Sequence, residues 1–577
     1  LQVNEMDISV LMSSDEYKTI EADIESFVKE KLDGYKPSRT TGKTIHDPVW
    51  GSVEYSDWEM QLIDSPLFQR LRDIHQVGLA MLTYPAARHS RFEHSLGVAA
   101  AAKKMCEKIS KNSKRCPFKK NDKNKVYLAA LLHDIGHGFY SHLSESIYGE
   151  FKAFDKLITK FKRMLKRKPK AHEALAFIII NTETFRNFFF ENINYPDKNE
   201  CQGYLFSDVG KMIIGANIEE SDEVYSFLTA IINGPFDADK LDYIKRDSHT
   251  AGLSLSYDME RLFTKIVVHT VQNESRQTEY RLVIKFNGVT AIEELTFCRI
   301  MLFSYIYYHQ KVLISEAMVK DYVHGLHRLG IIREFSDFLR YTDSDILKLA
   351  KQQGNKSPFP KYEMLNLEKL ALNIANRRLP KRCFEISQSN VENIAEEPKF
   401  DLTHQCQILA EQCKNGITAE ELQSRIELMI FSLRNQETRE DKVLLDSLYN
   451  ELGKVTFEAM LALRKKFYIQ LANEYSKAGK AVNFNMFDVY IIVPKSANYG
   501  EAGDSVILGR NNKDLLQIND FVKLDDWAAS FNSNKWRGYV FVSEHIDLSI
   551  AFKVAQKFIL KGKARVKKPT SYMKVDL

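Results

Sequence analysis

The chain has 577 residues, of which 44% are hydrophobic and 27% charged. That is ordinary for a globular protein and excludes disorder or a collagen-like repeat as a description of the whole. Eighty-one basic against 76 acidic residues leave a net charge of +5, which at this length points to no class of partner.

No apolar run approaches the roughly 18–20 residues of a membrane span. Stretches such as 174–180 are core-sized, and no secretory leader pattern opens the chain. Cysteines stand at 106, 116, 201, 298, 383, 406 and 413, scattered and without a CxxC. That argues for a reducing compartment, cytoplasmic with the nucleus as alternative, and against a disulfide scaffold or thiolate zinc site.

In chain order, Ser13 and Glu16 read as a capping box for a helix through Tyr17, Ile20, Ile24, Phe27 and Leu32, stopped by Gly34 and Pro37. Residues 39–43 read as a linker, so 1–45 form an N-terminal helix and linker. A mostly helical, histidine-rich core follows over 46–330. Helical signals continue over 331–480, with a polar loop at 352–360 and long amphipathic helices at 419–477. The last segment, 481–577, is small and α+β: 489–493 and 539–542 read as strands, 547–560 as a helix. The fold class is therefore mainly α, with a helical and small α+β C-terminal region.

Chemistry concentrates in Arg91-Phe92-Glu93-His94, Leu131-Leu132-His133-Asp134-Ile135-Gly136-His137-Gly138 and Phe236-Asp237-Ala238-Asp239-Lys240-Leu241-Asp242-Tyr243. A hydrolytic metal site needs neutral imidazoles and ionised carboxylates converging from several elements. His133-Asp134 ends an apolar helical run, and Gly136 and Gly138 allow close approach of backbone or ligand. Adjacent residues do not face each other on a helix, so other elements must complete the shell. Asp237 and Asp242 also fit as capping or solvated carboxylates.

These segments, in this order, resemble the HD-domain metallohydrolases, with their H…HD…D signature. They resemble in particular deoxynucleoside triphosphate triphosphohydrolases of the SAM- and HD-domain-containing kind, although 1–45 show no SAM domain. The resemblance extends through Asp47-Pro48, Gly51, 63–72, Gln76-Val77-Gly78, Tyr84-Pro85, 91–97, and Asp242-Tyr243 with Arg246-Asp247, and covers about residues 43 to 315. It implies an HD-domain helical metallohydrolase core that cuts dNTPs to deoxynucleoside and inorganic triphosphate. It implies metal ligands His94, His133, Asp134 and Asp239. The donor set admits Fe, Mn, Mg, Ni or Zn without selecting among them, with a second Mg as an option.

By the same resemblance His142 is the general acid, His137 contacts the α-phosphate and His172 supports the acid. Glu145 stands where the family has an aspartate, one methylene shorter. Arg91, Lys240 and Arg299 would hold phosphates. Gln76 and Asp247 would bind the 3′ hydroxyl, with Val77 on the sugar floor and Tyr243 in the pocket. Tyr307 would exclude a ribose 2′ hydroxyl, with Tyr308 as the one-residue alternative. Lys43, Asp64, Gln69 and Arg72 match positions that bind an activating GTP or dNTP between subunits of a homo-oligomer, a dimer to tetramer or larger. The bland reading is an Asp64–Arg72 ion pair. His46 departs from the family's asparagine.

The basic stretches 103–125 and 160–170 read as solvated faces, with nucleic-acid binding as the weaker reading. Two alternatives stand beside dNTP hydrolysis for defence or dNTP depletion. One is an HD phosphodiesterase on a cyclic nucleotide or nucleic acid. The other is a nucleotide-sensing or nucleic-acid-binding regulator.

Overall fold

The structure is a computed structural model that describes residues 8–560 apart from 39–40, 114–117, 150, 166, 354–360, 387–456, 493, 495–502, 512–513, 525, 528–529, 531–534 and 536. The chain forms two compact units. One comprises Leu1–Tyr307, Gly325–Ala371 and Tyr499–Asp526; the other comprises Tyr308–His324, Leu372–Asn498 and Trp527–Leu577.

The first unit is built on helices. Ala171–Asn181 carries the sequence AHEALAFIIIN and is buried from His172 to Asn181. A helix apolar on all sides must be enclosed. Leu205–Ile214 packs on it and on Asp122–Leu132, which in turn packs on Arg91–Asn112, and Arg91–Asn112 packs on Ala238–Thr250. Two glycines allow this closeness. A Cβ on Gly97 would stand 2.0 Å from Asp242 Oδ1, and one on Gly136 would stand 2.2 Å from the His172 carbonyl oxygen. Any side chain there would push the segments bearing His94, His133 and Asp239 apart.

Strands in this unit were hidden in the helical reading. Lys43–Asp47 (β1) and Gly51–Tyr55 (β2) form an antiparallel hairpin, so the expected linker ends in a strand. A mixed sheet contains Glu219–Glu220 (β3), Glu223–Val224 (β4), Ile266–Gln272 (β5) and Thr278–Lys285 (β6). β5 and β6 are antiparallel, with Ile266 opposite Ile284. Their β-branched runs, IVVHTVQ and TEYRLVIK, were the available signal. The N-terminal helix also differs: it runs Asp15–Leu32 with Ser14 at its cap, whereas the Ser13 hydroxyl donates back to Val10 O. Ser13 is thus not the capping residue.

The second unit contains an antiparallel sheet in which Gly538–Val542 (β9) lies between Lys381–Ile386 (β7) and Val489–Ile492 (β8). Helices Phe457–Lys477 and Leu548–Leu560 pack on each other. The strands at 489 and 539 and the helix near 547 agree with the sequence. The expected helices over 419–456 and most of the 352–360 loop lie outside the described residues. Among the described residues no helix is long and apolar enough to cross a membrane.

Arg464, 4% exposed, donates Nη1 to both oxygens of Asp321 at 2.8 and 2.7 Å and Nε to Val489 O at 2.8 Å. Removing one partner strands a buried charge. Asp321→Ala is expected to destabilise the second unit by about 3–5 kcal/mol. Lys119→Ala, which breaks the half-exposed pair with Glu220, should cost about 0–1 kcal/mol. Calorimetric unfolding of the two variants measures the contrast.

Candidate metal centre

Local rules set the ends of the helices that carry the centre. Ser90 and Glu93 form a capping box that starts the helix at Arg91 and puts His94 in its first turn. Asp237 caps Ala238–Thr250 by accepting from Lys240 N at 2.7 Å, which places Asp239 in that helix's first turn. His133 terminates Asp122–Leu132.

Both histidines are fixed from behind. His94 Nδ1 donates to Asp242 Oδ2 at 2.7 Å, and His133 Nδ1 donates to Ala130 O at 2.8 Å. Each therefore turns its Nε2 inward, a donor to an ion once the ring is neutral. Those two Nε2 atoms are buried and make no well-aligned hydrogen bond among the described residues. Asp239 Oδ1 lies 3.1 Å and Asp134 Oδ2 3.5 Å from His94 Nε2, and Asp134 Oδ1 lies 3.4 Å from His133 Nε2. Donor atoms of His94, His133 and Asp239 all fall within 4.8 Å of one another. A first-row ion holds such donors at about 2.0–2.2 Å, hence roughly 3–4.4 Å apart, so slight closure fits an ion. Two outward-anchored imidazoles and Asp239 form such a donor group; Asp134, whose Oδ2 is held by Arg91 Nη1 at 2.7 Å, stands beside it and is not part of it.

Asp242 is not solvated. It is fully buried, and besides His94 it accepts Arg246 Nε and Nη2 at 2.8 Å and Trp50 Nε1 at 2.7 Å. Arg246 Nη2 also donates to Asp47 Oδ2 at 2.8 Å, at the end of β1. Against burial, Arg246 and His94 keep the Asp242 carboxyl below its usual range. Burial alone would lower the His94 imidazole, but hydrogen bonds to Asp239 and Asp242 and the Asp134 charge push it up to about 9. Asp47 and Arg246 fall in segments that carry the resemblance, but only packing shows that they and Trp50 brace Asp242.

A second cluster adjoins the first. Glu145 Oε1 accepts from His142 Nδ1 at 2.9 Å and His172 Nδ1 at 2.7 Å, and lies 3.1 Å from His137 Nδ1. The extra methylene of this glutamate thus reaches all three rings. His137 and His172 are buried and stacked at 3.9 Å, whereas the His142 side chain is 64% exposed. Burial opposes ionisation of Glu145, yet the imidazoles around it, His172 foremost, hold its carboxyl well below the usual range. Burial, with Arg91 and His172, keeps the His137 imidazole well below its ordinary value. His137, His142, Glu145 and His172 have donor atoms close enough to group around an ion as well.

Arg91 ties the clusters together: Nη1 donates to Asp134 Oδ2 at 2.7 Å, Nε to Ser141 Oγ at 2.9 Å and Nη2 to Gln76 O at 3.4 Å. Lys240 Nζ donates to Gly234 O at 2.9 Å and Asp237 Oδ2 at 2.8 Å. A cavity of about 360 Å³ is lined by His133, His172, Asp239 and Lys240, with Arg167 and Lys170 also on its wall.

Farther along, Asp247 accepts from His89 Nε2 at 2.7 Å and from the Tyr307 hydroxyl at 2.5 Å. Burial and the Asp247 charge push that hydroxyl well up, with Tyr243 and Arg299 near enough to act on it. Gln76 is buried with Oε1 lacking a hydrogen-bond partner among the described residues, and Val77 follows it at partial exposure.

Of the residues matched to an activator site, Gln69 Oε1 accepts from Arg72 Nε at 2.7 Å, and Gln69 Nε2 donates to Ile63 O, beside Asp64, at 2.8 Å. The Arg72 guanidinium lies 3.6 Å from the Phe92 ring centre. The Asp64–Arg72 ion pair is not formed among the described residues. Lys43 is exposed at the start of β1. The basic stretches are partly neutralised within the chain: Lys103 by Glu59, Lys125 by Asp208 and Lys160 by Glu16.

The fold and the converging His and Asp side chains are those of an HD-type helical metallohydrolase. Residues 91–192 match the HD domain family and 258–418 the HD associated region. The chain is 26% identical over 377 residues to the HD domain-containing protein L394 of Acanthamoeba polyphaga mimivirus, covering 61% of this chain and 76% of that one. It is 28% identical over 355 residues to the deoxynucleoside triphosphate triphosphohydrolase SAMHD1 homolog of Dictyostelium discoideum, covering 60% and 61%. To the deoxynucleoside triphosphate triphosphohydrolase SAMHD1 of Bos taurus it is 30% identical over 247 residues, 40% of each chain. The chain therefore spans less than two thirds of either triphosphohydrolase. A hypothetical protein from Aquifex aeolicus shares the fold at a TM-score of 0.52 and 18% identity, covering 89% of this chain and 100% of that one.

The bracing of His94 generates an expectation. Asp242→Asn keeps the shape but removes the charge behind the imidazole. Ion affinity should fall about 10–100-fold, read as metal content after dialysis against graded chelator. Unchanged content would show that Asp242 only packs.

Proposed function

We propose that the chain hydrolyses deoxynucleoside triphosphates to deoxynucleoside and inorganic triphosphate at this centre. The observation that carries the reading is the juxtaposition of two clusters: inward Nε2 atoms with Asp134 and Asp239, and the exposed His142 oriented by Glu145. The names of the slime-mould and cattle relatives support the substrate.

His94, His133, Asp134 and Asp239 would hold a divalent ion, which when bound polarises phosphate and lowers the pKa of water. The rest falls to side chains. Arg91, pinned by Asp134, Ser141 and the Gln76 carbonyl, presents a fixed positive charge where the α-phosphate would lie. Neutral His137 can donate to a phosphate oxygen. His142, whose Nδ1 is committed to Glu145, keeps Nε2 to deliver a proton to the departing 5′ oxygen. His172 shares that carboxylate and fixes its position. Lys240 reaches phosphate by exchanging one of its present acceptors, and Arg299 is the remaining cation.

At the sugar end, the unpartnered Gln76 Oε1 and Asp247 suit a 3′ hydroxyl. Tyr307 is the gate we favour, since its hydroxyl meets Asp247, whereas Tyr308 has Glu316 as its charged neighbour. A 2′ hydroxyl beside Tyr307 would clash, so discrimination would arise by exclusion. Product analysis tests this: dNTPs should yield deoxynucleoside plus triphosphate, and Tyr307→Ala should raise NTP relative to dNTP turnover at least tenfold. Release of dNMP and pyrophosphate would contradict the reading.

We further propose a homo-oligomer activated by GTP or a dNTP at Lys43, Asp64, Gln69 and Arg72. Arg72 leans on Phe92, in the same helical turn as Arg91 and His94. Lys43 lies on the hairpin whose Asp47 braces Arg246. An activator must bind the active state better than the inactive one. Hydrolysis of single dNTPs should therefore rise at least fivefold with added GTP, and Arg72→Ala should remove that rise. Equal rates with and without GTP would leave a constitutive enzyme.

A further inference from the structure

We infer that Asp343, outside the segments that carry the HD signature, is a positioning residue for this centre: its carboxylate holds together the loop before His142 and the loop before Gln76. The roles given to His142 and Gln76 rest on the proposed function; the clamp itself rests on geometry.

The loop before His142 is strained. Tyr140 and Ser141 both have positive φ, +50° and +54°. Neither is glycine, and such backbone persists only where surroundings enforce it. Asp343 supplies the enforcement. Its Oδ1 accepts from Tyr140 N at 2.5 Å, and its carbonyl oxygen accepts from the Tyr140 hydroxyl at 2.9 Å. Its Oδ2 accepts from His75 N at 2.9 Å and from His75 Nδ1 at 2.5 Å. Asp343 is 4% exposed and Tyr140 3% exposed, so the bonds between them are made away from water, while the His75 ring is partly exposed.

The two loops are then stitched to each other. The Ser141 hydroxyl donates to His75 O at 2.6 Å and accepts from Arg91 Nε. The carboxylate is not needed by its own helix: Asp343–Ile346 is capped by Thr342, whose side chain accepts from Asp345 N. Both side-chain oxygens are therefore spent on the two loops. The neighbouring backbone joins in, since Phe139 N donates to Phe338 O and a Cβ on Gly138 would stand 2.4 Å from that oxygen.

Every group facing the carboxylate is a donor. An asparagine would keep the volume but turn an NH2 against one of them, so the isosteric variant should fail where a volume-filling role would tolerate it. In the full-length, metal-loaded protein, Asp343→Asn should speed amide exchange at least tenfold in peptides covering 73–80 and 137–148, with 94–110 and metal content unchanged. kcat on a dNTP should fall at least thirtyfold. In a His142→Ala background the same substitution should cost kcat no more than threefold, because the acid it positions is already gone, and the loosened Gln76 loop should show in KM instead. Tyr140→Phe, which removes the bond to the Asp343 carbonyl oxygen, should speed exchange three- to tenfold in 137–148 and serves for that loop if the asparagine variant does not fold. Unchanged exchange in either loop, or a full additional loss in the His142→Ala background, would overturn the assignment. A wild type that turns over no dNTP overturns the proposed function instead, and the exchange measurement then decides the clamp alone.

Discussion

The structure depends on gathering ionised carboxylates in a buried place. Asp134, Asp239 and Asp242 converge among closely packed helices, where an unpaired charge would be prohibitive. Each has a built answer. Asp134 is met by Arg91, Asp242 by Arg246, and Asp239 by His94. Arg246, 1% exposed, is among the largest fully buried side chains of the described residues. The glycines at 97 and 136 follow from the same demand, because the charges compensate one another only if the helices come this close.

Compensation also makes the centre directional. Asp242 and the Ala130 carbonyl hold the histidines by their outer nitrogens, so the inner nitrogens point one way without help from a ligand. Preorganisation of this kind favours charge stabilisation, since little has to reorient when an ion or phosphate arrives. Glu145 plays the corresponding part for the other imidazoles. One carboxylate oxygen shared by three rings leaves His142 as the ring with open access.

The N-terminal hairpin and the short helices after residue 330 both reach this centre, though neither bears its ligands. Asp47 and Trp50 meet Arg246 and Asp242 from the hairpin, and Asp343 meets His75 and Tyr140 from the far side. A perturbation at either place therefore has a short chain of bonds by which to alter the geometry around His94 or His142.

Much was readable before folding. RFEH, HDIGHG and DADKLDY carry the donors at helix ends, and caps, helical turns and glycines are local properties that a sequence displays directly. The β-branched runs at 266 and 278 are equally local, but the helical periodicity on either side masks them. Asp242 was ambiguous for a different reason: a carboxylate three residues beyond Asp239 is a solvated residue or a histidine's anchor depending on what lies opposite, and Gly97 and Arg246 settle that only in three dimensions. Asp343 had no signal at all. Its partners are 268 and 203 residues away, and a carboxylate's role as a clamp exists only once distant donors are brought to it. The sequence determined which chemical groups were available and where helices begin and end; tertiary packing decided which charges are paired, because pairing depends on distance and exclusion of water rather than on position in the chain.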